Sequence, residues 1–268
     1  MLESATIKIV KFTCYFKNQT KTKFIEAMRT SKFMLALAVA TTTLFTANAQ
    51  TADEIVAKHI EANGGAEKLK GQTSRIVEMT GSAMGFEFPV VISTINGKAY
   101  KQEVEVQGMK MVTAVNGNTG WAINPMGGST TAQALPEDQV KANSGQIDLT
   151  GSLCDYKEKG NTVELLGKET IDGAETFKLK VVQKDGSEET KFIDAKTYFL
   201  VKQIMKVTAN GETIEIPMVY SNYKMVDGVA VAHTMEVTNA QAGTVIMTVK
   251  SVKVNPVIDE AIFMMPKN

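Results

Sequence analysis

Residues 214–237 read IEIPMVYSNYKMVDGVAVAHTMEV, two alternating runs on either side of a tight turn. Ile214, Ile216, Met218 and Tyr220 fall on one face of the first run; Val229, Val231, His233, Met235 and Val237 fall on one face of the second. A period of two marks a half-buried strand. Asp227-Gly228 lies between the runs, and Asp-Gly tolerates the positive φ angles of the turn that joins twisted antiparallel strands. The segment predicts a β-hairpin with one apolar face.

The same pattern recurs from Thr73 onward. Asn96-Gly97, Asn116-Gly117, Asp172-Gly173, Asp185-Gly186 and Asn210-Gly211 mark further hairpin turns. Phe86, Phe88, Val90 and Ile92 share one strand face, and Phe177, Leu179 and Val181 share another. Phe199, Val201 and Met205 line up similarly, interrupted by Gln203. Lys178, Lys180, Lys202 and Lys206 fill opposite positions, so the sheet is expected to be apolar on one side and wet on the other. The expected fold is mainly β: a curved antiparallel meander, or incomplete β-barrel, carrying an N-terminal helix and a helical plug insert.

That helix is marked by Thr51-Ala52-Asp53-Glu54, a capping box, followed by Ile55, Val56, His59 and Ile60 at helical spacing. Gly64-Gly65 ends it, and Ala66 to Leu69 can add a short turn. The insert lies at about 125–160, where alternation fails between Asn124 and Thr162. Pro125-Met126-Gly127-Gly128-Ser129 reads as a loop and Leu135-Pro136-Glu137-Asp138 as a helix start. Val140, Ile147, Leu149 and Leu153 then give broken apolar spacing. A long interruption in a compact domain commonly covers a site.

Residues 28–49 read as a cleavable signal peptide. Met28-Arg29-Thr30-Ser31-Lys32 is a short basic start, Phe33 to Phe45 is apolar but too short for a membrane span, and Ala47-Asn48-Ala49 is a peptidase site. Residues 1–27 are either a misassigned upstream start or an extended basic region. The expected product is a single soluble domain, residues 50–268, in the periplasm. No Cys stands at the cleavage point to carry a lipid anchor.

Of 29 basic and 29 acidic residues, the first 49 positions hold seven and two, which leaves the domain 22 against 27, a net charge of −5. An acidic surface argues against nucleic acid as a partner. Cys154 alone remains after cleavage, so stability must come from a core rather than from disulfides. Catalytic signatures are missing. His59 and His233 are the only histidines, and no G-x-S-x-G elbow or phosphate-binding glycine pattern occurs. No enzyme activity, metal or cofactor is expected.

Twelve methionines follow the leader. Their flexible thioethers suit cavities for apolar ligands, and a one-sided sheet with little helix to cover it leaves room for a groove. The candidate wall consists of Phe86, Phe88, Val90, Ile92, Phe177 and Leu179, with Met205, Met218, Tyr220 and Met235 continuing it. Trp121, after Asn116-Gly117-Asn118-Thr119-Gly120, and Met126 in the insert complete the set. The expected partner is a lipid or acylated ligand, with transient contact to a membrane surface or envelope protein. The alternative is an envelope interaction or scaffold domain whose core is solid.

Several motifs resemble those of the bacterial outer-membrane lipoprotein-sorting carriers, the LolA/LolB-like superfamily, over most of residues 51–268. They are Asn63-Gly64-Gly65 after the helix, the turn-Trp element ending in Trp121, and Ile193-Asp194-Ala195-Lys196-Thr197 before the strand bearing Lys202. Tyr223-Lys224-Met225-Val226-Asp227-Gly228-Val229 and the closing Asp259-Glu260-Ala261-Ile262-Phe263-Met264-Met265-Pro266 complete the list. The Gly-Gly and late Asp-Gly signatures are closest to an uncharacterised Bacteroidetes-type branch. The resemblance implies an incomplete barrel, apolar inside and plugged by helices, that carries acyl chains. The arginine that gates those carriers has no counterpart here, since Arg75, the domain's only arginine, lies early on the first strand.

Overall fold

A computed structural model describes residues 50–267 except 210–211 and 240–242. The expected signal peptide, the segment before it and the Asn210-Gly211 turn lie outside the described residues.

Helix α1, Ala52–Ala62, begins where the capping box predicts: the Thr51 hydroxyl accepts from the Glu54 N–H at 3.2 Å, and Glu54 accepts from the Thr51 N–H at 3.0 Å. It ends at Gly64, whose φ of +113° places a hypothetical Cβ 2.1 Å from the Gly228 carbonyl oxygen. Only glycine permits that close approach between the helix end and a hairpin turn. Helix α2, Ala66–Lys70, follows.

Among the described residues, thirteen strands then form one antiparallel sheet. The first six are β1 (Ser74–Ala83), β2 (Phe86–Ile95), β3 (Ala99–Val106), β4 (Met109–Asn116), β5 (Thr119–Asn124) and β6 (Ser129–Ala134). After the insert come β7 (Thr162–Ile171), β8 (Ala174–Val182), β9 (Glu188–Asp194), β10 (Leu200–Ala209), β11 (Glu212–Val226), β12 (Val229–Asn239) and β13 (Gly243–Val254). The spatial order is β6-β5-β4-β3-β2-β1-β13-β12-β11-β10-β9-β8-β7, with β6 and β7 as free edges. The sheet is not closed into a barrel. It consists of two meanders joined by pairing of the first strand with the last, Val77 opposite Val252 and Met79 opposite Val249.

The insert differs from expectation at its start. Pro125–Gly127 forms a 3₁₀ turn, but Ser129–Ala134 is an edge strand instead of loop. Ala132 is its only buried residue, so it lacks the apolar alternation by which strands are recognised. Helix α3, Glu137–Ser144, and the 3₁₀ turn Gly145–Ile147 supply the helical part.

Helical cover meets one face of the sheet, called the inner face below, at both ends of the strand order and at the start of β12, where Ile60, Leu69 and Cys154 pack with Val229. At the β7–β9 end, Ile55 and Val56 of α1 and Leu153 of the insert pack on Phe177, Leu179, Val181 and Ile193. At the other end, Val140 and Ile147 pack on Tyr100 and Val115. The insert is tied to α1 through Asp53, which accepts from Tyr156 and from Lys157 at 2.6 Å. Cys154 is buried beneath it, and burial pushes its thiol pKa up.

Candidate functional site

Between the two helix-covered ends, the inner face carries an apolar cluster made only of strand residues. Met79, Val90 and Val249 form its base; Val77, Phe88, Ile92, Val104, Met235, Met247 and Val252 pack around them and stay half-buried. No helix contributes to this cluster. The register carries the same face onward, since Met235 lies opposite Tyr220, Val237 opposite Met218, and Ile216 opposite Met205. Phe88 lies against β1 because Gly81 has no side chain; a Cβ there would meet the Phe88 ring at 2.2 Å.

The twelve candidate wall residues therefore separate into groups. Phe88, Val90, Met205, Met218, Tyr220 and Met235 share the uncovered stretch, and Ile92 lies at its border, where it also packs against the Val140 and Ile147 cover. Phe86 is 60% exposed beside the β1–β2 turn, and Met126 is 62% exposed on its 3₁₀ turn. Phe177 and Leu179 are 4% and 0% exposed beneath α1. They are packed core, not wall, because the one long helix covers that end of the face.

Trp121 requires a larger correction. It pairs with Ala114 and clusters with Val112, Ala114 and Ala132 on the outer face, opposite Tyr100 and Val115. Its indole N–H donates to the Phe263 carbonyl at 2.9 Å, so the C-terminal turn Glu260–Phe263 is pinned across the back of the sheet. Trp121 anchors packing there and cannot line the inner face.

The two faces are also less cleanly divided than alternation suggests. On β9 the inward positions are Glu189 and Lys191, buried beside Leu179 and Val181. Lys191 donates to Gln203 Oε1 at 3.0 Å and lies 3.2 Å from Glu189, while Gln203 donates to Glu189 at 2.7 Å. The Ser152 hydroxyl, on the insert, donates to the other Glu189 oxygen. A buried ion pair is tolerated when its remaining polar atoms are bonded in this way. Phe192, the residue after Lys191, points outward yet is fully buried, with Lys178 and Lys202 ammonium groups 5.5 and 5.4 Å from its ring. Gln203 as an interruption of the β10 pattern was the one sequence signal of this cluster.

The histidines are structural. His59 Nδ1–H donates to the Tyr198 carbonyl at 2.8 Å. Desolvation, with a lesser contribution from the Lys191 charge, lowers its pKa to about 4 despite that bond. His233, inward on β12 beside Met235, donates from Nδ1 to the Val231 carbonyl at 2.9 Å. Among the described residues no group of three or more His, Cys, Asp or Glu is placed to hold a metal ion.

This architecture is the LolA-like fold. A LolA superfamily protein from Nitrosomonas europaea matches with a TM-score of 0.54 and 14% identity, over 81% of this chain and 98% of that one. A DUF1329 family protein from Desulfovibrio piger matches at 0.52 and 11%, over 80% and 98%. A Vibrio parahaemolyticus domain described as outer membrane lipoprotein-sorting matches at 0.51 and 16%, over 79% and 95%. A family model described as an uncharacterised protein matches residues 150–266. No curated protein matches the chain.

Proposed function

We propose that this protein is a periplasmic, non-catalytic carrier or binder of lipid-like ligands. The observation that carries the reading is the strand-only cluster on the inner face: half-buried Phe88, Met235 and Met247, which no helix among the described residues covers, between two ends that are packed solid. A group of half-buried apolar side chains on a face that no described helix covers marks where a ligand or partner meets the protein. Unbranched methionines fit a chain that takes many conformations. The lipoprotein-sorting description of a protein with the same fold is consistent with such a ligand.

A fluorescent fatty-acid probe should bind the purified protein stoichiometrically. Met218→Lys introduces an ammonium at a half-buried inner-face position; there the long stem can carry its charge to water. Circular dichroism should show a folded variant and titration a weakened probe. A wild type that takes up no probe, together with an unfolded Met218→Lys protein, would replace this reading with an envelope scaffold domain.

A further inference from the structure

Arg75 is the only arginine of residues 50–268. It stands on β1 with Val77 and Met79, whose side chains belong to the inner cluster, so alternation turns Arg75 toward the same face. Its cross-strand neighbours are Thr94 on β2 and Val254 on β13. Neither carries a charge.

Lys191, a buried cation on the same face, is neutralised by Glu189 and bonded to Gln203. Arg75 has no such company. Among the described residues no carboxylate forms an ion pair with it, and no protein oxygen accepts a hydrogen bond from it. Surrounding protein desolvates the guanidinium and lowers its pKa, yet an arginine does not escape by giving up its proton. The residue is half-buried, and a charge partly desolvated without an anionic partner costs the fold stability. Placing it one residue along would have turned it outward.

We propose that Arg75 receives the anionic head, a carboxylate or phosphate, of an amphiphile whose acyl tail lies along the uncovered inner face. The planar guanidinium presents a fork of N–H donors matched to either group. From Arg75 to Gly81, where the Phe88 ring lies, β1 advances six residues, about 20 Å at the rise of a strand. That length suits a long acyl tail. Val77 and Met79 line the path. The inference rests on the lipid-binding reading and specifies its ligand class.

The test compares a fluorescent long-chain fatty acid with its uncharged methyl ester on the purified wild-type protein, on Arg75→Gln and on Arg75→Lys. Wild type should prefer the acid by about tenfold or more, the range of a charge-assisted pair. Arg75→Gln should remove that preference by weakening the acid alone, and Arg75→Lys should restore part of it. The melting temperature of Arg75→Gln should equal or exceed that of wild type, since an unpaired charge is removed. Equal binding of acid and ester to wild type overturns the proposal while leaving lipid binding intact. Equal weakening of both probes by Arg75→Gln does the same. Displacement of the acid by millimolar inorganic phosphate would make this a free-anion site and overturn the amphiphile. Failure of both probes to bind wild type removes the lipid reading and this inference together.

Discussion

At the Lys191–Glu189 pair, burial has made two charges depend on each other. Lys191→Met would leave Glu189 charged among Leu179, Val181 and Met205, with only Ser152 and Gln203 to satisfy it. Losing one partner of a buried pair costs about 3–5 kcal/mol, readable as a lower urea midpoint. The double variant Lys191→Met with Glu189→Leu should recover most of the loss. His59 gives a prediction in pH. Its folded pKa, about 4, lies below the ordinary 6.5, so the unfolded chain binds the proton more readily. Its contribution is fully present above pH 6.5 and is lost as pH falls toward 4, by about 3 kcal/mol at most. Urea unfolding at pH 7 and pH 4.5 should show that slope in wild type and a shallower one in His59→Gln. Beyond Gln203 interrupting the β10 pattern, this chemistry was not legible beforehand. Glu189 and Lys191 alternate as surface charges do, and only their register beside Leu179 and Val181 shows that they point inward.

Elements were readable wherever their signals are local. The Thr51 capping box and the Gly64-Gly65 stop marked α1 because both act within four residues of the helix end. Tight-turn dipeptides marked Asn96-Gly97, Asn116-Gly117, Asp172-Gly173 and Asp227-Gly228, each of which joins two paired strands in the structure. Strand β6 escaped because an edge strand with one buried alanine has no alternation to read. The outer-face position of Trp121 escaped for another reason: its partner Phe263 is 142 residues away, and no local pattern encodes that contact. The close approach of Gly64 to the Gly228 carbonyl leads to a sharp expectation. Gly64→Ala should cost about 2 kcal/mol or more through backbone strain and overpacking, while Gly65→Ala, with open space around its Cβ, should cost less. Equal losses in chemical denaturation would mean that contact between the α1 end and the turn is unimportant.

Across the whole molecule, the pairing of β1 with β13 brings Met79, Val90, Met235 and Met247 into one stretch that neither helical cover reaches. The contrast between covered and uncovered regions is measurable. Leu179→Ala, at a position 0% exposed beneath α1, should cost about 2–5 kcal/mol with probe binding nearly unchanged. Met247→Ala, half-buried on the open stretch, should cost less stability and more affinity. A face that binds an acyl chain should also retain one through purification. Native mass spectrometry of the protein as purified, followed by organic extraction, tests this most directly. The account predicts a bound mass that extraction releases as an acyl-chain lipid, leaving a protein that then takes up the fluorescent fatty acid. A bare polypeptide mass before extraction, with no uptake of the probe, would contradict it.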